Sequence, residues 1–124
     1  LSGYCYSSVE HAFQASKTDN FDQRMEIRAC RTAGEAKRLG RKIYLRSDWE
    51  AIKEATMEQL VAQKFFSDPF LKEKLLSTQD AELIEGNTWG DRTWGTIWNE
   101  WTQQWEGQNL LGKILMEIRK KALL

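Results

Sequence analysis

The chain has 124 residues, of which 41% are hydrophobic and 29% charged, enough for one buried core without disulfides or structural metal. Its 18 basic and 18 acidic residues balance, which argues against a bulk phosphate-backbone binder, although a small basic pocket in a neutral protein still accommodates one or two phosphates. No apolar run reaches the roughly 20 residues of a membrane span, and Cys5 and Cys30 fit no zinc spacing.

A lone pair of cysteines in a domain of this size reads as two reduced thiols, and the N-terminus lacks a basic-then-apolar secretory pattern, so a cytoplasmic location is expected. The chain opens on Leu1 rather than Met, so an upstream portion is expected to have been removed or encoded elsewhere. With one proline, scattered glycines and no repeat or low-complexity stretch, nothing divides the chain, and helices should dominate.

Taken in order, a first helix is predicted from about Ser8 to Lys17, capped by Ser7 or Ser8. A second covers Asp22 to Ala29, and a third runs from Ala33 to Leu39 and closes at Gly40. Ile43 to Leu45 reads as a short extended piece. Ser47-Asp-Trp-Glu50 has the form of a capping box and predicts a long helix, which Ser67-Asp68-Pro69 stops while starting the next. Phe70, Leu71, Leu75 and Leu76 carry that next helix. After a turn at Thr78-Gln-Asp80, Leu83-Ile-Glu85 is expected to be extended and to lead into a glycine-rich loop from Gly86 to Gly95. The last helix, Leu110 to Ala122, places Leu110, Leu111, Ile114, Leu115, Ile118 and Ala122 at core spacing.

Two segments could carry chemistry. On the first helix, at about 100° per residue, Gln14 lies about 40° to one side of Glu10 and Lys17 about 20° to the other, so a carboxylate, an amide and an amine form one stripe. Such a stripe is either the wet edge of an amphipathic helix or one wall of a site. The loop Glu85-Gly-Asn-Thr-Trp-Gly-Asp91 gathers two carboxylates, an amide, an indole and two glycines, suited to close ligand approach; the alternative is a turn in which Asn87 and Asp91 satisfy local amides. Of six tryptophans, Trp94, Trp98, Trp101 and Trp105 are spaced as a helical packing stripe, and only Trp89 is a candidate to stack on a ligand. His11, the sole histidine, faces away from the Glu10–Lys17 line and reads as structural. No P-loop, dinucleotide fingerprint or metal-ligand cluster is present, so carboxylates and a lysine remain.

Taken together, Ser8-Val-Glu-His-Ala-Phe-Gln-Ala-Ser-Lys17, Ala36-Lys-Arg-Leu-Gly-Arg41 and Arg46-Ser-Asp-Trp-Glu50 resemble the NADAR, or YbiA-like, superfamily. Leu83-Ile-Glu-Gly-Asn-Thr-Trp-Gly-Asp91, Trp94-Gly95 and Gln108-Asn-Leu-Leu-Gly-Lys-Ile-Leu-Met-Glu-Ile-Arg119 match its later blocks in order, so the resemblance covers nearly the whole chain. It implies a mainly α, single-domain orthogonal helical bundle with short extended segments over residues 1–124. Members usually carry a Ser-Asn-Phe-like element before the Ser-Val-Glu-His block, and this chain is expected to lack that N-terminal segment.

The resemblance also implies an N-glycosidase that hydrolyses a ribose–nitrogen bond, either in a phosphoribosylated pyrimidine intermediate of riboflavin biosynthesis or in ADP-ribosylated guanine. Its partner would be a small ribosyl or ADP-ribosyl substrate, or ADP-ribosylated DNA, and no cofactor or metal is implied. Glu10 would stabilise the positive charge that builds on the anomeric carbon, and Lys17, with a pKa lowered by its surroundings, would attack the ring-opened aldehyde as a Schiff-base amine. Asp91 would assist proton transfer or hold ribose hydroxyls, Trp89 would stack on the base, and Gln14 and Asn87 would hydrogen-bond the substrate. A non-catalytic ADP-ribose or nucleotide-binding module is the alternative, and a contact surface built on the tryptophan stripe is a third.

Overall fold

Helix-forming segments between short capped turns dominate, as expected. The computed structural model describes residues 4–123 and contains six helices and one two-stranded hairpin among them, with about half of the chain helical. In chain order these are α1 (Val9–Ala15), α2 (Phe21–Arg28), α3 (Ala33–Gly40), α4 (Trp49–Ser67), α5 (Pro69–Leu76), β1 (Ile97–Asn99), β2 (Gln104–Glu106) and α6 (Leu110–Ala122). The chain falls into two compact units, Leu1–Val61 and Ala62–Leu124, and the boundary lies inside α4.

In the first unit, α1 packs on both α2 and α3 around Ala15, Ile27 and Ala36, all fully buried, with Tyr6, Cys30, Leu39 and Ile43 closing the cluster. Alanines at 15 and 36 let the two helices approach closely. The entry to α1 is fixed by reciprocal bonds. Ser8 Oγ accepts from the His11 backbone N–H at 3.1 Å and donates to His11 Nδ1 at 2.6 Å, while Nε2 donates to the Cys30 carbonyl at 2.9 Å. The sole histidine is thereby a buried brace between α1 and the end of α2, in line with its structural reading. Asn20 and Thr32 cap α2 and α3 through their side chains.

Three local expectations change. α1 ends at Ala15, and Lys17 lies in the following turn, its N–H bonded to the Gln14 carbonyl at 3.2 Å. Ile43–Leu45 forms no strand. The Ser47–Glu50 capping box does not form: α4 starts at Trp49, the Asp48 carbonyl accepts from the Ala51 and Ile52 amides, and Glu50 pairs with Lys53 at 2.8 Å.

The second unit contains the end of α4, then α5, the loop, the hairpin and α6. Asp68 Oδ1 caps α5 and Pro69 occupies its first turn, as the sequence predicts. α5 packs on α6, and Leu75, Ile114 and Ile118 are buried. The expected helical tryptophan stripe is overturned. Residues 97–99 and 104–106 pair as an antiparallel hairpin, with Trp98 opposite Trp105 and their rings edge to face at 5.2 Å. The reason is turn chemistry: Asn99 Oδ1 accepts from the Trp101 and Thr102 amides, and Gln103 takes a left-handed φ of 58°. Trp101 sits at the tip, 96% exposed, so it packs against nothing. Among the described residues, no helix is long and apolar enough to cross a membrane.

Candidate active site

The Glu10–Gln14–Lys17 stripe is half inside the first unit. Gln14 is 3% exposed and donates from Nε2 to Glu10 Oε1 at 2.7 Å, which fixes the carboxylate's orientation. Its other amide atom, Oε1, is buried and has no hydrogen-bond partner among the described residues. An orphaned buried acceptor costs about 1–3 kcal/mol.

Gly40, at the end of α3, explains how Gln14 is held. A Cβ at that position would overlap Gln14 Oε1 and stand 2.8 Å from Cδ and 3.2 Å from Cβ. The glycine was foreseen only as a helix terminator. Its closer role is to let α3 pack directly on the Gln14 amide. The signal was present in the sequence, since Ala36 and Gly40 lie on one face of α3 and both lack bulk.

Lys17 is half-buried, and its backbone carbonyl accepts from the Arg46 N–H at 2.7 Å, which anchors the turn. Burial holds the ammonium below the usual lysine pKa; Glu10 pulls the other way, while Arg41 and Lys37 add to the depression. No carboxylate forms an ion pair with Lys17 among the described residues. A lysine in this state yields a neutral, nucleophilic amine at a lower pH than a solvated one.

The loop candidates belong to the second unit. Asn109, which precedes α6, pins the chain entering the loop by donating to the Leu83 carbonyl at 2.8 Å and accepting from the Glu85 N–H at 2.9 Å. Thr96 then bonds the Glu85 carbonyl through both its N–H and its hydroxyl, closing the base of the loop. Within it, the Asn87 amide donates to the Asp91 and Thr96 carbonyls at 2.8 and 3.3 Å and accepts from the Asp91 N–H at 3.0 Å. Both ends of that side chain are engaged by the loop itself. Asp91 Oδ1 accepts from the Thr93 and Trp94 amides at 3.0 and 2.9 Å, and no hydrogen bond among the described residues uses its second oxygen. Trp89 projects from the loop, 68% exposed.

The structure thus places Glu10 and Gln14 on α1 with Lys17 in the turn that follows, and Asn87, Trp89 and Asp91 on one loop. Because Asn87 bridges the loop's backbone, Asn87→Ala is expected to leave the Asp91 N–H and carbonyl without their Asn87 partner, while the Thr96 carbonyl keeps the backbone N–H of residue 87, and to cost about 1–3 kcal/mol. Hydrogen exchange at the Asp91 amide should accelerate in step. An unchanged denaturation midpoint and exchange rate would remove the brace.

A profile of the NADAR domain matches residues 1–123. The chain is 36% identical over 123 residues to the N-glycosidase YbiA of Shigella boydii, covering 98% of this chain and 73% of that protein. It is 34% identical to a riboflavin biosynthesis protein of Vibrio vulnificus, over 98% of this chain and 32% of that longer protein. Its fold is similar to the NMR structure of the Escherichia coli protein YbiA, with a TM-score of 0.83 and 34% identity, covering 99% of this chain and 71% of that one. The resemblance read from ordered motifs is thus matched in sequence and in fold, and the chain belongs to the NADAR family.

Proposed function

We propose that this domain is an N-glycosidase that hydrolyses a ribose–nitrogen bond in a phosphoribosylated pyrimidine intermediate of riboflavin biosynthesis or in ADP-ribosylated guanine, free or in DNA. The observation that carries this reading is the pair formed by a Gln14-held Glu10 carboxylate and a half-buried Lys17 amine with a lowered pKa. Relatives named N-glycosidase and riboflavin biosynthesis protein support it. As the carbon–nitrogen bond breaks, its electron pair leaves with the base and positive charge develops on the anomeric carbon, which Glu10 offsets. Water supplies the hydroxyl to that carbon and a proton to the departing nitrogen.

Lys17 adds to C1 of the ring-opened N-glycoside, the base leaves that carbon with its electron pair and a proton, and water hydrolyses the remaining lysine imine to the sugar aldehyde and the free amine. Asp91 assists proton transfer through its free oxygen, Trp89 stacks on the base, Gln14 orients Glu10 and offers its orphaned acceptor, and Asn87 holds the loop that presents Asp91. Both cysteines are free, which supports a reducing, cytoplasmic setting.

Incubation with ADP-ribose and borohydride, followed by peptide mass spectrometry, tests the lysine chemistry. A reduced adduct is expected on Lys17, with a yield that rises with pH at a midpoint below the ordinary lysine value of about 10.4, because the neutral amine is the reacting form. Base release from a ribosylaminopyrimidine or from ADP-ribosylguanosine then distinguishes the substrates. Binding of both with neither turnover nor adduct would make the domain a nucleotide-binding module instead.

A further inference from the structure

Positive charge gathers where α1 meets α3, and the N-glycosidase chemistry above does not use all of it. Gly40 lies against the Gln14 side chain, so the last turn of α3 faces the same stripe that carries Glu10. Lys37, three residues earlier, is about 60° from Gly40 around the helix, and Arg41 follows directly as the cap residue. Neither Lys37 nor Arg41 forms an ion pair among the described residues, whereas Arg24 and Arg46 share Asp19. Their fields reach Lys17, where both oppose its positive charge.

A helix C-terminus favours basic residues in its last turn, which accounts for cations on α3 taken alone. It does not account for a half-buried lysine from the turn after α1 brought into the same field. Like charges held together next to a single carboxylate repel one another, and a bound dianion relieves that repulsion. Arg41 offers a planar fork suited to two phosphate oxygens, and Lys37 a point charge. The chain's overall neutrality is no obstacle, since two or three local cations are enough for one phosphate.

We infer that Lys37 and Arg41, on the α3 side of the Glu10–Gln14–Lys17 stripe, seat the phosphate carried by the substrate's ribose. This rests on the N-glycosidase reading for the sugar but not for the anion. The shared chemistry is a phosphate ester of ribose, supplied either by a phosphoribosyl compound or by the diphosphate of ADP-ribose. The seat explains how a neutral domain selects a phosphorylated sugar and sets its anomeric carbon against Glu10.

Two measurements on the full chain test it. Lys37→Ala/Arg41→Ala is expected to raise KM for a phosphorylated ribosyl substrate by about 10- to 100-fold and to leave KM for the dephosphorylated counterpart unaffected, while kcat falls to the same smaller extent for both because Lys17 loses two of the charges that lower its pKa. Both side chains reach the surface, and Lys37→Gln/Arg41→Gln, which keeps their length, should behave alike. Titration with ribose 5-phosphate and with ADP-ribose, followed by amide shifts, is expected to perturb Lys17, Lys37 and Arg41 in the parent and not in the variants. Tighter binding of the first ligand assigns the seat to a phosphoribosyl source, and of the second to ADP-ribose. Equal rises in KM for phosphorylated and dephosphorylated substrates, or turnover with no titration at these amides, would overturn the seat. Titration without turnover would uphold the seat and sink the glycosidase reading.

Discussion

Lys17→Ala and Glu10→Gln are each expected to lower kcat by about 10²- to 10⁴-fold while leaving the fold intact, the range typical of a removed acid–base, nucleophilic or charge-stabilising group. Glu10→Gln isolates charge, because the new amide oxygen still accepts from Gln14 Nε2. Any loss in that variant is therefore electrostatic rather than positional. Lys17→Arg is the companion for the amine: it keeps a cation but cannot become a neutral nucleophile, so it should be as inactive as Lys17→Ala. The turn is held by the Lys17 backbone carbonyl, so none of these changes removes its anchor to Arg46. Base release measured under saturating substrate, together with thermal melts, decides the matter. Parent-like rates in both Lys17→Ala and Glu10→Gln would end the proposed roles.

Gly40→Ala should destabilise the first unit and also reduce activity, although glycine-to-alanine inside a helix ordinarily stabilises by about 0.5–1 kcal/mol. The sign is decided by space. The added methyl would overlap the Gln14 amide oxygen and lie 2.8 Å from its carbon, in a neighbourhood where Gln14 is 3% exposed and cannot retreat into solvent. Overpacking of that kind costs about 1–3 kcal/mol, which outweighs the propensity gain. Displacing Gln14 also breaks its 2.7 Å bond to Glu10, so catalysis should fall beyond what instability explains. A second substitution separates the two effects: Gly40→Ala/Gln14→Ala makes room for the methyl and should recover most of the stability, while activity stays low because Glu10 is no longer oriented. Denaturant midpoints and kcat for the three variants give the coupling directly, and a Gly40→Ala midpoint equal to the parent's would refute the packing argument.

Sequence pattern was a good guide wherever one residue decides a local outcome. Ser8, Asp68-Pro69 and Gly40 mark helix ends where the structure has them. It misled where two local signals compete. Trp94, Trp98, Trp101 and Trp105 have helical spacing, yet the Asn99 side chain captures two amides and turns the chain, so that Trp98 and Trp105 become a cross-strand pair and Trp101 an exposed tip. Ser47 and Glu50 match a capping box, but Lys53 claims the glutamate and Asp48 begins the helix. At the site, the Glu10–Gln14 contact follows from helical period, whereas Lys17 lies in the turn after α1, where helical period does not apply. The orphaned Gln14 oxygen and the contact with Gly40 do not follow from it either, because they depend on how closely α3 approaches α1. Likewise, Asn87 and Asp91 could be recognised as polar loop residues, while the loop amides and carbonyls that each of them holds required coordinates.

Asp91 has a consequence for how such a chain drifts. One oxygen of its carboxylate builds the turn and no hydrogen bond among the described residues uses the other, so asparagine in its place could keep the two amide contacts while erasing the charge. Alanine would forfeit both. A descendant could therefore lose the charge at this position by a single conservative exchange and retain its architecture, leaving a chain that any comparison of folds would count as kin.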